Sequence, residues 1–441
     1  MTALQRLVRL QLPIWLVMPL LAFVLTLGIG GGYLLALRLT HPCPLQAHEC
    51  EALGNFWRVW QLARDNFVDP EAIDPQRMSD GAINGMLDSL GDQGHTRYLN
   101  AEEARREREA LSGRFEGIGA YIDVRDGQPR IVAPIEGSPA ERAGLRPDDL
   151  ILRVDGYDVR GVTVEELRNR VRGPKGTQVV LTIQRPGIAA PFDVTITREE
   201  VNVPSVTWRM LPDRIALIRI NRFAERTGSE LQQALLDIRA QEAQAIILDL
   251  RNNPGGLVTQ LVAVASQFMP EGSTVLLEQD RNGSRRPYTT SEGGLALDIP
   301  MVVLVNGNSA SAAEILAGSL QENGRARVIG QATFGTATVL RPFDLEGGAQ
   351  VRLGTSQWLT PKGRVVRGAG IQPDELIALA PGVAPLTPAE AAALSLDDLL
   401  RSNDVQLVRG IELVREVLAS KASESRKRTR IGTDITGAHG W

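Results

Sequence analysis

Residues 302–340, VVLVNGNSASAAEILAGSLQENGRARVIGQATFGTATVL, hold the side chains best arranged for chemistry. An apolar run ends in Asn306-Gly307, and Ser309-Ala310-Ser311-Ala312 opens an amphipathic helix. A serine at a helix start lies beside unpaired backbone N–H groups and the positive end of the helix dipole, which favour developing negative charge. Hydrolysis at such a serine requires a base to take the hydroxyl proton. The four lysines are Lys175, Lys362, Lys421 and Lys427, and only Lys362 falls in the same region of the chain. His95 lies in the Gly91–Thr96 loop, where a lone histidine reads as solvated, and Glu314, one turn after Ser311, reads as a structural hydrogen-bond partner. No Asp-His-Ser set can be assembled from these residues.

The elements that must position this serine alternate in type. Ile215–Ile220 and Ala245–Leu250 read as strands, with a helix over Glu230–Arg239 between them. The turn Arg251–Gly256 (RNNPGG) follows the second strand and leads into a helix through Phe268. Thr274–Leu277, Met301–Val305 and Arg327–Ile329 are further strands, and residues 309–322 form a helix. This alternation over 201–385 predicts an α/β core. Residues 386–420 read as C-terminal helices, and 421–441, with Ser425–Arg430 (SRKRTR), as a disordered tail.

Ahead of the core, residues 52–112 read as a helical unit: Phe56, Val59, Trp60 and Leu62, then Ile83, Met86, Leu87 and Leu90, recur at helical spacing. Residues 12–37 carry no charge; as a helix they span about 39 Å, enough to cross a bilayer with tilt. With Arg6 and Arg9 before it and Arg38 after, the run reads as a retained signal anchor with a cytoplasmic N-terminus, so that the chain beyond residue 40 lies outside the cytoplasm. The two cysteines, Cys43 and Cys50, are too few for a disulfide framework or a four-thiolate zinc site; they either bridge each other or stay free. No metal or cofactor is expected, and a net charge of -4 argues against nucleic acid as a partner.

Residues 113–200 change character. GIGAYIDV (117–124) is glycine-punctuated and β-rich, and RIVAPIEGSPAERAGLRPDDLILRVDGYDV (130–159) reads as strand, short helix around Ala140–Ala143, turn and strand. Thr163-x-x-Glu166 caps a helix whose Val164, Leu167 and Val171 share a face, and Gln178–Gln184 closes the order as a strand. GSPAERAGL with ILRVDG resembles a PDZ domain. The resemblance implies a groove that takes an extended peptide as an added strand, its terminal carboxylate held by Gly117-Ile118-Gly119 and its last side chain by Ile118. Asp148 stands where that turn usually has glycine, and aspartate tolerates left-handed geometry.

Taken in order, SLGDQGHTRYL, the PDZ-like module, DLRNNPGG, SASAAEILAG, GRARVIGQATFG and TPKGRVVRGAGIQPD resemble the carboxyl-terminal processing peptidases, or tail-specific proteases, over nearly all of residues 52–410. The resemblance implies a crotonase-like α/β core carrying an inserted α+β PDZ domain, and a serine–lysine pair that cleaves extracytoplasmic proteins whose C-terminal tails engage the PDZ groove. It assigns the nucleophile to Ser311, with Ser309 left to cap the helix. It gives the oxyanion hole to the Ala312 N–H and to Gly255 or Gly256.

The resembled motif continues Thr-Phe-Gly-Lys-Gly, with glutamine four residues after the lysine. Here Thr336 occupies the lysine position and Leu340 the glutamine position. A threonine hydroxyl does not ionise near neutral pH, and loss of a general base costs about 10²–10⁴-fold in rate. Lys362 lies in a turn that the resemblance makes exposed and variable. Two readings result: a membrane-anchored extracytoplasmic peptidase of this type acting through Ser311, or a catalytically silent homologue that binds C-terminal tails as an adaptor.

Overall fold

The computed structural model describes residues 22–26, 28, 46–92, 95–125 and 127–436, with the backbone alone for 422–436. The chain divides into two compact units after Gly81. In the first, helices α1 (Ala47–Ala52) and α2 (Gly54–Asn66) follow one another, and α2 buries none of its residues. Phe56 and Trp60 on α2 stack with ring centroids 6.0 Å apart. Cys50 is disulfide-bonded; the sequence's other cysteine, Cys43, lies outside the described residues. The anchor expected over residues 12–37 falls almost wholly outside them too, and among the described residues no helix is long and apolar enough to cross a membrane.

Helix α3 (Pro75–Asp88) leads into strand β1 (Arg97–Leu99) and helix α4 (Ala101–Ser112). Residues 52–112 are therefore not helical throughout. Tyr98 and Leu99 are buried, and β1 is held by antiparallel pairing to residues 350–352, a partner remote in sequence. Asn100 then starts α4 through a reciprocal cap, its side chain accepting from the Glu103 N–H and the Glu103 carboxylate accepting from its own.

The next module contains β2 (Arg114–Gly117), β3 (Ala120–Arg125), β4 (Gln128–Pro134), α5 (Pro139–Arg142), β5 (Leu150–Val154) and β6 (Tyr157–Asp158). It continues with α6 (Val164–Val171), β7 (Gln178–Gln184), β8 (Phe192–Thr197) and β9 (Glu199–Asn202). The antiparallel order β3-β4-β5-β7-β8 leaves β3 as an edge strand, while β2 and β9 pair as the ribbon through which the chain enters and leaves. Ile131, Ile151, Leu167, Leu181 and Ile183 fill its core. Thr163 accepts from the Glu166 N–H at the start of α6, and Asp148 takes the left-handed conformation at φ 66°.

The core begins with β10 (Val206–Leu211), β11 (Ile215–Ile220), α7 (Thr227–Ala240), β12 (Ala245–Asp249) and α8 (Val258–Phe268). Next come β13 (Thr274–Asp280), β14 (Arg285–Thr289), β15 (Met301–Val305), α9 (Ala312–Glu322) and β16 (Arg327–Gly330). β17 (Thr338–Asp344), β18 (Gln350–Leu359) and β19 (Glu375–Leu376) complete its strands. The sheet runs β10-β11-β12-β15-β16-β19 and is parallel except between β10 and β11. Every residue of β12 and β15 is buried, as expected for parallel strands covered on both faces. Ile246 and Leu248 point into the layer with α7, α8 and α9, and Ala245 and Ile247 into the opposite layer. There they meet α10 (Pro388–Ala392), α11 (Leu396–Leu400) and α12 (Val405–Thr436). A second sheet joins β1, β18, β13 and β14, with β17 on β18.

Helix α12 continues to Thr436, through the segment that composition marks as a disordered tail. Lys421, Ala422, Glu424, Arg426, Lys427, Arg428 and Arg430 are good helix formers, which favours continuation of the helix beyond residue 420.

Candidate functional site

The C-terminal ends of the neighbouring parallel strands β12 and β15 carry the two turns of the site, where parallel sheets commonly place ligands. Below the first turn, Asp249 is fully buried and accepts from Arg251 Nε at 2.9 Å and Arg219 Nε at 3.0 Å. Burial acts to raise the Asp249 carboxyl, but Arg251 and Arg219 outweigh it and hold the group below its usual range. Arg251, equally buried, reaches Asp404 Oδ1 at 2.6 Å, at the start of α12. This network anchors the turn to the C-terminal helical layer.

Asn253 sets the shape of the turn. Its Nδ2 donates to Ile220 O at 2.7 Å, and its Oδ1 accepts from the Gly255 N–H at 2.8 Å. Gly255, at φ 92°, packs so closely that an added Cβ would stand 2.7 Å from Ser311 Cβ and 2.9 Å from Ala312 N. Gly256 adopts φ 143°, and a Cβ there would meet Phe223 O at 2.2 Å. Only glycine fits either place. The Gly255 N–H is occupied by Asn253. The N–H groups of Gly256 and Ala312 have no acceptor among the described residues.

The second turn holds both serines. Ser309 does not cap α9: it is fully buried, donates to Leu250 O at 2.8 Å and accepts from the Asn306 N–H at 3.0 Å. It latches the two strand ends together, joining Leu250 just after β12 to Asn306 just after β15. Ser311 itself occupies the N-cap position, at φ 53° and ψ -120°. A non-glycine residue held there costs about 1–3 kcal/mol, and such strain recurs at functional positions. Its side chain faces the Glu314 N–H in a reciprocal capping box, with the Glu314 carboxylate accepting from the Ser311 N–H.

Around Ser311, Glu314 is the organising group. It is completely buried and accepts from Ser311 N at 2.8 Å, Gly335 N at 2.7 Å, Thr336 N at 3.0 Å, Thr336 Oγ1 at 2.8 Å and the Thr333 hydroxyl. Thr333 also accepts from Ile371 N at 2.7 Å. The structure thus brings Thr336 directly onto Ser311, its Oγ1 accepting from the Ser311 amide at 2.9 Å. Leu340 lies on β17 opposite Gly354 and brings no polar atom. Lys362 lies in a turn whose N–H donates to Glu322. Thr333 and Asn253 escape sequence reading as site residues, since their roles depend on partners far along the chain.

His95 is not simply solvated. Its ring lies 6.1 Å from that of Phe334, whose N–H donates to Ser309 O at 3.0 Å. Burial pushes the imidazole below its usual value; Arg352 and Arg97 act in the same sense, and Asp92 and Glu314 oppose them. Among the described residues no cluster of His, Cys, Asp and Glu could hold a metal ion.

The second feature lies in the 113–200 module. The N–H groups of Ile118 and Gly119 have no acceptor among the described residues, while the Ile118 and Gly119 carbonyls accept from Ala140 and Ile135. Beside them a cleft of about 480 Å³ opens between edge strand β3 and the C-terminal end of α6, reaching α4. Ile118, Ile122 and Val171 line it together with Phe115, over which Arg172 stacks at 5.0 Å.

The sequence model of Peptidase family S41 matches residues 214–377, and that of the PDZ domain matches 130–185. The carboxy-terminal-processing protease of Bartonella bacilliformis is 36% identical over 329 residues, covering 74% of this chain and 75% of that protein. Carboxy-terminal processing protease CtpA of Bacillus subtilis is 39% identical over 303 residues, covering 69% of this chain but only 64% of that protein, so the chain spans less than two thirds of this relative's length. A solved S41 structure from Bacteroides fragilis shares the fold, with a TM-score of 0.51 at 15% identity over 82% of this chain and 97% of that one.

Proposed function

The chain belongs to the carboxyl-terminal processing proteases of peptidase family S41, with a PDZ domain, and from that premise we propose that it binds protein C-terminal tails and does not hydrolyse them by a serine–lysine mechanism. One observation carries this reading. The Thr336 hydroxyl stands against the Ser311 amide and gives its single proton to Glu314. A neutral hydroxyl so engaged cannot take the Ser311 proton near neutral pH.

The remaining peptidase geometry suits presentation of a tail. Ser311 is in the nucleophile position, and the N–H groups of Ala312 and Gly256 are available to an oxyanion. Ile118 and Gly119, following Gly117 at the end of β2, offer backbone donors to a terminal carboxylate. Membrane attachment through residues 12–37, with the folded part outside the cytoplasm, belongs to the same proposal. The apolar run and the disulfide at Cys50 support it, because disulfides persist in oxidising compartments.

A second reading is favoured by His95. Its ring lies beside that of Phe334, in the loop that bonds to Ser309, and burial lowers its pKa below the ordinary value, so this reading gives it the role of base for Ser311. The test is an assay of the full chain on a tail-bearing protein, beside Ser311→Ala, His95→Gln and Thr336→Lys. Tail binding without cleavage, and cleavage gained by Thr336→Lys, is the expected result. Wild-type cleavage lost in both Ser311→Ala and His95→Gln would replace the silent reading with the second one.

A further inference from the structure

The cleft beside β3 is apolar at its base and basic at its rim. Its walls carry Arg106, Arg114, Arg168, Arg172 and Arg222 against the single acid Glu109. Four of these arginines have carboxylates of their own. Arg106 pairs with Glu165 at 2.5 Å, Arg172 with Glu109 at 2.9 Å, Arg222 with Glu107 at 3.5 Å and Arg114 with Glu200 at 3.6 Å. Arg168, exposed on α6, has no ion pair or side-chain hydrogen bond among the described residues, and the neighbouring Glu166 and Glu165 are taken by Arg170 and Arg106. It is the guanidinium left over for a ligand.

Position along the cleft follows from geometry. A Cβ on Gly117 would lie 3.9 Å from Arg172 Cγ, so the C-terminal end of α6 stands beside the 117–119 loop. A tail added to β3 ends at that loop, with its final side chain toward Ile118 and Val171. Alternate residues of an extended chain face the same side, so the next side chain turned toward α6 is the third from the end, about 6.6 Å back. Arg168 precedes Val171 by three residues, about 4.5 Å along the helix axis, and its long side chain covers the difference.

We propose that the cleft selects C-terminal tails that have an apolar last residue and a carboxylate side chain at the third position from the end, read by Arg168. The proposal rests on the tail-binding reading above. An ion pair at an exposed site contributes little, but exchanging an acid for a base reverses its sign, and the combined effect is about tenfold in affinity.

The test measures fluorescence anisotropy of labelled peptides ending Asp-Ala-Val, Asn-Ala-Val and Lys-Ala-Val on the full chain, with the amidated Asp-Ala-Val peptide as control. The expected order is Asp over Asn over Lys, with about tenfold between the extremes, narrowing at high salt. Arg168→Gln should remove the order, and Arg168→Glu should reverse it; neither should move Tm, because Arg168 has no partner to lose. Equal binding of the three free tails would overturn the selection while leaving tail binding intact. Failure of every free tail to bind better than the amidated control would overturn both.

Discussion

Thr336 Oγ1 lies 2.9 Å from the Ser311 amide nitrogen and 2.8 Å from Glu314 Oε2, so the residue at the lysine position holds the serine turn from behind. The hydroxyl links the start of α9, the buried carboxylate and the 333–336 loop.

Thr336→Val removes one donor to Glu314 and one acceptor for Ser311 N–H while keeping the side chain's shape. The substitution should destabilise the fold by about 1–3 kcal/mol, since it leaves buried polar groups short of a partner. A urea midpoint unchanged from wild type would show that the hydroxyl does not support the turn.

Asp404→Ala strips Arg251 of its partner in α12 and leaves its guanidinium buried with Asp249 alone among acids. Breaking such a pair costs about 3–5 kcal/mol, and the turn bearing Gly255 and Gly256 should loosen with it. Hydrogen exchange at Gly255 and Gly256 no faster than in wild type would contradict the anchoring role.

The same network has a pH signature. The ordinary aspartate value is 3.8, and Asp249 in the fold is held below it. Below 3.8 the unfolded chain takes up a proton that the folded chain refuses. The stabilisation is therefore complete above that pH and is lost as pH falls through the lowered value. Denaturation midpoints across this acid range should fall less steeply in Asp249→Asn, whose residue 249 does not titrate; equal slopes would refute the assignment.

His95 works in the neighbouring window with the same sign. Its folded value lies below the ordinary 6.5, so between the two the unfolded chain binds the extra proton and stability declines as pH drops. NMR titration should show a midpoint below 6.5 that disappears in His95→Gln. A His95 midpoint at or above 6.5 would remove the basis for its acting as a neutral base.

Gly256→Ala tests the turn sterically. Its Cβ would fall 2.2 Å from Phe223 O, so the strand-end bridge between Phe223 and Gly256 must open. We expect a Tm loss of several degrees, read by calorimetry, and a folded variant of wild-type Tm would show that the turn can move aside.

Local pattern made much of this protein legible. The apolar runs at 245–250 and 301–305, the Asn-Pro-Gly-Gly turn and the Ser-Ala-Ser helix start announce an α/β core with a serine at a strand-to-helix turn. Each depends on neighbours within a few residues. The order of motifs gave the family, and one letter, threonine for lysine at 336, raised the question of activity.

Only the tertiary structure decided what those residues do together. Strand β1 inside a helical stretch, Ser309 as a latch, the Gly255 N–H bound by Asn253 and the five donors on Glu314 all rest on partners brought together by the fold. The same holds for Arg168, whose availability depends on where every nearby carboxylate went. Sequence spacing specifies backbone conformation because propensities and periodicity act locally; it does not specify which buried donor meets which acceptor, because that pairing is set by packing across the sheet.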